Sequence, residues 1–154
     1  GVCQVMNRLL LAVQPDHLFM GQKDYQQCMV VKELCRQEHL RLEFHAIATV
    51  REEDGLALSS RNRRLSPDER KAAPAIFQCM AMIKEGLRPG ETEPLRMKAE
   101  QFLKEAGFRV DYVCIAAADS LEPVSTWNGQ QPVVVLIAAF VGEVRLIDNL
   151  LLSS

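Results

Sequence analysis

The chain has 154 residues, of which 48% are apolar and 25% charged, and a net charge of −2. That is enough for one ordinary domain or two small ones, and it excludes global disorder. The lack of a basic excess argues against a protein that grips nucleic acid by neutralising its phosphates. No apolar run approaches the roughly 18 residues a membrane helix needs, the best being Pro132 to Val141. Gly1-Val2-Cys3-Gln4 carries no signal-peptide pattern, so a cytoplasmic protein without a membrane partner is expected. The five cysteines at 3, 28, 35, 79 and 114 are odd in number and lack C-x-x-C spacing. They predict reduced thiols, with neither a disulfide framework nor a zinc site. The chain opens on Gly with a helical pattern at once, so a piece of a longer protein is expected.

Val2, Val5, Met6, Leu9, Leu10 and Val13 recur at helical spacing and predict an amphipathic helix over 2–13, closed by Gln14-Pro15-Asp16. His17-Leu18-Phe19-Met20 reads as a buried strand ending at Gly21. A helix is expected from Lys23 to His39, then a strand over Leu42 to Val50. This α-β-α-β order implies parallel strands with a crossover helix. The pattern changes near Val50, where the domain boundary is placed: 1–50 forms one unit and 51–154 the next.

Residues 51–65 are polar, with arginines at 51, 61, 63 and 64. Ser66-Pro67-Asp68-Glu69 has the form of a capping box and starts a helix running to about Glu85, which Pro74 must kink or delay. A turn at Pro89-Gly90 precedes a helix over Pro94 to Ala106 with Gly107 as its cap. Strands follow at Val110 to Ile115, Pro132 to Phe140 and Val144 to Ile147, the last two separated by a turn at Gly142. The order predicts a small α+β unit.

Two stretches combine residues suited to phosphate. Gly21-Gln22-Lys23-Asp24 lies between a strand end and a helix start, where free N–H groups and the helix dipole attract anions and a lysine adds charge. A glycine turn with a solvated Lys–Asp pair is the plainer reading. Asp54-Gly55-Leu56-Ala57-Leu58-Ser59-Ser60-Arg61-Asn62 gathers two hydroxyls, a guanidinium and an amide behind a glycine able to serve as a hinge. Donors of this kind, on a loop that closes, suit the charge that develops on a triphosphate. Its plainer reading is a basic surface loop. His17, His39 and His45 are scattered and read as surface or structural residues. Cys28 and Cys35 share a helix face and read as packing. Trp127 sits in an expected loop as a contact or an anchor.

Gln14-Pro15-Asp16 leading to Gly21-Gln22-Lys23-Asp24-Tyr25-Gln26-Gln27, then Arg51, Asp54 to Asn62, and Arg145-Leu146-Ile147-Asp148-Asn149 together resemble the pantoate–β-alanine ligase family, in order and at matching spacing. The likeness runs over essentially the whole chain and covers the C-terminal part of that family. It implies an α/β fold: the C-terminal half of a Rossmann-like nucleotidyl-transferase domain over 1–50, binding ATP and pantoate, followed by a small α+β lid domain over 51–154. It implies that ATP and pantoate form pantoyl adenylate, which β-alanine converts to pantothenate, with Mg2+ accompanying the ATP. It also implies a homodimer for the complete enzyme.

Carried over by position, the resemblance makes Gly21, Gln22, Lys23 and Asp24 ATP contacts, with Lys23 on the phosphates. Gln27 becomes a pantoate contact and Val50 an adenine-side backbone contact. Leu58, Ser59, Ser60 and Arg61 become the closing phosphate loop, and Lys23, Ser59, Ser60 and Arg61 bear on catalysis. No metal ligand is assigned among this chain's residues. Gln22 stands where the family usually has Glu. The family's histidine-containing ATP loop has no counterpart here, so the chain alone is expected to be inactive. A nucleotide-binding or oligomerising module without catalysis is the alternative; an RNA-binding fragment ranks below both.

Overall fold

The computed structural model describes residues 1–152, and the chain divides into two compact units, Gly1–Thr49 and Val50–Ser154. The mixed α/β class expected from the sequence is what it shows.

In the first unit, helix α1 (Val2–Val13) precedes strand β1 (His17–Gly21), helix α2 (Tyr25–Gln37) and strand β2 (Glu43–Ile47). The two strands pair in parallel, His17 opposite Glu43 through Gly21 opposite Ile47. A parallel pair needs a long crossover, and α2 supplies it. Leu10, Val31 and Cys35 are buried, with Met6, Leu18, Met20, Leu40, Leu42 and Phe44 packed against them.

The apolar run of β1 reads as a buried strand, although apolar sheet and helix faces are also expected to be exposed over 1–50; one face of β1 is covered and the other is not. Its residues alternate between exposed and half-buried. Leu18 and Met20 face the helices, whereas Phe19 is 62% exposed. The period-two alternation of a strand sends successive side chains to opposite faces, and α1 and α2 cover only one of them. Strand β2 stops at Ile47 rather than Val50 because its partner ends at Gly21. On the helices, Val5, Leu9, Leu11 and Val13 also stay exposed.

In the second unit, helix α3 (Pro67–Ala72), helix α4 (Ala75–Gly86), strand β3 (Gly90–Glu91) and helix α5 (Glu93–Glu105) lead into strands β4 (Arg109–Ala117), β5 (Thr126–Trp127), β6 (Val133–Val141) and β7 (Val144–Leu152). Strands β4, β6 and β7 form an antiparallel sheet with β6 in the centre, while β3 and β5 pair separately. The continuous apolar run of β6 suits its central place: Val133 to Ala139 are all buried. Helix α4 contributes Ile76, Cys79, Met80 and Ile83 to the core, and α5 contributes Ala99 and Leu103. Burial pushes the Cys79 thiol up to about 12, so it packs as an inert apolar group.

Ser66 starts α3 as expected: its hydroxyl accepts from the Glu69 N–H, and Glu69 returns a bond to the Ser66 N–H at 2.7 Å. Pro74 divides α3 from α4, since a proline has no N–H to continue the helix. Trp127 is an anchor. Its indole N–H donates to the Gln131 carbonyl at 2.8 Å, and its ring packs against the core. The β3–β5 pair and the extension of β7 from Ile147 to Leu152 were not expected.

Core burial outweighs capping in this unit. Ile83→Ala should cost about 2–5 kcal/mol in urea unfolding. Ser66→Ala should cost only about 1 kcal/mol. Equal losses in the two variants would contradict this ranking.

Candidate functional site

The first expected stretch sits where β1 gives way to a 3-10 helix, Gln22–Asp24, and then to α2. The regular helix therefore begins at Tyr25, later than the Lys23 start expected. Gly21 is extended, with φ −70°, so no left-handed turn demands a glycine there. A Cβ built on it meets nothing within 4 Å. Nothing inside the chain requires this glycine, and its open side leaves backbone accessible to an incoming group. Asp24 precedes α2 and makes no side-chain cap bond to it. Gln22 and Lys23 each take part in interactions within the chain. Lys23 is half-buried and Gln27 exposed.

The second stretch is a tight hairpin followed by a 3-10 helix. The Leu58 N–H donates to the Val50 carbonyl and the Glu52 N–H to the Leu56 carbonyl, both at 2.9 Å. Asp54 accepts from the Leu56 N–H at 3.1 Å, which fixes the turn. Gly55 has φ +89°, and a Cβ there would overlap the Phe77 ring. The hinge expected at Gly55 is thus corrected: this glycine is buried in a packed turn, and its conformational freedom serves to close that turn.

Charged pairs hold the hairpin from both sides. Arg51 reaches Asp148 on β7 through two bonds, 2.5 and 3.0 Å, and also donates to the carbonyls of Gly55 at 3.0 Å and Asn149 at 3.3 Å. Its guanidinium lies 4.6 Å from the centre of the Phe77 ring. Arg70 on α3 bridges Asp54 and Glu52, each at 2.6 Å. The Asn62 amide donates to the Ala57 carbonyl at 3.1 Å and to Glu52 at 3.2 Å. Ser59 caps the 3-10 helix Ser60–Arg64 by accepting from the Arg61 N–H at 3.2 Å.

Ser60 and Arg61 lie outside this web, as do Arg63 and Arg64 on the same 3-10 helix. All four are exposed, and among the described residues none of their side chains makes a hydrogen bond or an ion pair. Leu58 and Val50 are 51% and 64% exposed. The 3-10 helix therefore offers a hydroxyl and guanidinium groups outward beside a frame whose charged groups are paired. Sequence reasoning gave no role to Arg51, Glu52, Arg70 or Asp148, the residues that form this frame. Arg51 and Asp148 stood in the motif, but a pairing across 97 positions leaves no local mark.

His17 and His45, expected to be scattered, are brought together on β1 and β2, with ring nitrogens 3.1 Å apart.

Known proteins similar to this chain identify its family. The family model described as pantoate-beta-alanine ligase matches residues 1–151. The chain belongs to the pantoate–β-alanine ligase family. It is 42% identical over 151 residues to the pantothenate synthetase of Bacteroides thetaiotaomicron, covering 97% of this chain and 54% of that protein. It is also 42% identical over 154 residues to the pantothenate synthetase of Chromohalobacter salexigens, covering 99% of this chain and 54% of that protein. A crystal structure of pantothenate synthetase from Thermus thermophilus superposes with a TM-score of 0.86 at 40% identity, over 97% of this chain and 54% of that one. The pantoate-beta-alanine ligase of Francisella tularensis, complexed with beta-gamma ATP and beta-alanine, gives 0.70 at 28% identity, over 98% and 49%. The chain spans about half the length of the curated relatives it matches.

The Arg70 bridge has a titration signature. Its hydrogen bond holds the Asp54 carboxyl below the ordinary 3.8. Because the folded value is depressed, the bridge stabilises the hairpin above the ordinary carboxylate range and is lost as pH falls through the lowered value. Carboxyl NMR titration should put Asp54 below 3.8, and Arg70→Ala should raise it toward 3.8. An unchanged midpoint in that variant would contradict the bridge.

Proposed function

We propose that this chain supplies the nucleotide- and pantoate-contacting part of an ATP-dependent ligase that joins pantoate to β-alanine. The observation that carries this reading is the outward presentation of Ser60 and Arg61 from a frame whose own charges are paired. Family membership supports it, as do the beta-gamma ATP and beta-alanine named for the Francisella relative.

On this reading a pantoate carboxylate oxygen attacks the α-phosphorus of ATP. The bond to the bridging oxygen breaks, and pyrophosphate leaves. The β-alanine amine then attacks the acyl carbon of pantoyl adenylate, loses a proton and expels AMP. No side chain need act as a nucleophile. The protein aligns two anions and stabilises charge as it moves onto pyrophosphate.

Gly21 to Asp24 approach the phosphates through open backbone and the Lys23 ammonium. Ser59, Ser60 and Arg61, with Leu58 beside them, donate to the phosphate oxygens. Here Ser59 keeps its capping role, and Ser60 and Arg61 bring the unengaged donors. Gln27 contacts pantoate, and Val50 lies on the adenine side through its backbone. Mg2+ arrives with ATP as part of the substrate.

The chain alone should not turn over. Supplied with the N-terminal portion of a full-length relative, it should release pyrophosphate when ATP and pantoate are present. Lys23→Ala and Ser60→Ala should each slow that release by ~10²-fold or more. Turnover by the chain alone, or release unaffected in both variants, would contradict the reading. ATP binding without turnover in the reconstituted protein would favour a nucleotide-binding module instead.

A further inference from the structure

At the start of β1 and β2, side chains converge that the ligase reading does not use. His17, Phe19, Glu43 and His45 share the face of the strand pair turned away from α1 and α2. The parallel register sets His17 beside Glu43 and Phe19 beside His45. His17 Nδ1 lies 3.1 Å from His45 Nε2. Glu43 reaches toward both rings, with Oε2 at 3.5 Å from His17 Nδ1 and Oε1 at 3.8 Å from His45 Nε2. Phe19 stacks on His45 at 4.6 Å and 14°, which fixes one ring against the sheet. Its tilted contact with His17, at 6.2 Å, steadies the other.

We infer that His17, His45 and Glu43 form a binding site for a divalent transition-metal ion, of which Zn2+ is the best match. The donor set decides the class. Two imidazoles and one carboxylate suit borderline ions such as Zn2+, whereas Mg2+ and Ca2+ prefer oxygen alone. The spacing agrees. Ligands on a tetrahedral Zn2+ at ~2.0–2.1 Å stand about 3.3 Å from one another. The gap between the two imidazole nitrogens, 3.1 Å, and that from His17 to Glu43 Oε2, 3.5 Å, bracket that edge, while the other Glu43 oxygen lies 3.8 Å from His45.

Access is open, because the side chains of His17, Glu43 and His45 are 53%, 68% and 30% exposed. Strand backbones hold all three residues, so little ordering is needed on binding. A fourth position stays open to water. Ligation requires His17 to carry its proton on Nε2 and His45 on Nδ1, so one ring must change tautomer through solvent when the ion enters.

The site is separate from the proposed phosphate contacts. His17 opens β1 and Gly21 closes it, about 13 Å along the strand. Loss of either function therefore leaves the other testable. No spacing in the sequence announces the site, because its ligands come from two strands joined by a helix.

The test is a Zn2+ titration of the full chain carrying Cys3→Ser, which removes the exposed thiol. Calorimetry should show one equivalent bound. Long-range proton–nitrogen spectra should shift His17 Nδ1 and His45 Nε2 while leaving His39 unmoved. His17→Ala or His45→Ala should each weaken binding ~10-fold or more, Glu43→Gln should weaken it less, and Mg2+ in excess should not compete. If an alanine variant fails to fold, His17→Gln and the spectra of the unaltered site decide. Unmoved histidine signals, or equal Zn2+ affinity in the His17→Ala/His45→Ala double variant, would overturn the proposal.

Discussion

The hairpin that opens the second unit depends on one ion pair. Arg51 and Asp148 tie the first residues of the unit to its last strand across 97 positions. Asp148 interrupts the apolar pattern of β7 with a side chain only 3% exposed. A buried carboxylate is tolerated only with full hydrogen bonding. Arg51 supplies two bonds, and the Asn149 N–H adds a third at 2.8 Å. Arg51 in turn spreads its remaining donors over the Gly55 and Asn149 carbonyls and lays its plane on Phe77. Removing one partner of such a pair typically costs about 3–5 kcal/mol, because the other charge is left buried and unpaired. The same contacts fix the turn at Gly55, so the conformation of the 50–62 segment follows from them.

On the proposed ligase reading, that constraint bears on the exposed donors. A flexible loop would have to order Ser60 and Arg61 at the moment of binding, at a cost in conformational entropy. Here Arg70, Asn62 and Ser59 have already settled the backbone around them. Electrostatic catalysis rewards this kind of preorganisation, since donors placed in advance need not reorganise as charge develops. In the first unit, Gly21 is a glycine whose open side no internal contact explains.

Much of the fold was legible because its signals are local. Ser66-Pro67-Asp68-Glu69 announced α3 through bonds confined to four residues. The helical spacing of Val2 to Val13 and the apolar run of β6 declared their elements outright. The parts that misled were those decided by partners distant in the sequence. Asp148 and Asn149 made β7 look finished at Ile147, and only Arg51 reconciles a carboxylate with that strand. Gly55 looked like a hinge until Phe77 was seen against it. The apolar run of β1 implied burial, yet no element of its unit covers the Phe19 face. The site motifs were read as strings of donors, and the sequence could not say which were already engaged. Ser59 turns out to be partly occupied by capping, whereas Ser60 and Arg61 are not.

Amide hydrogen exchange in Asp148→Ala tests the role of the ion pair most directly. The Glu52 and Leu58 N–H groups, which close the hairpin, should exchange much faster while Val135 and Ile137 in the central strand keep most of their protection. Unchanged protection at Glu52 and Leu58, in a variant that remains folded, would contradict the role of the pair.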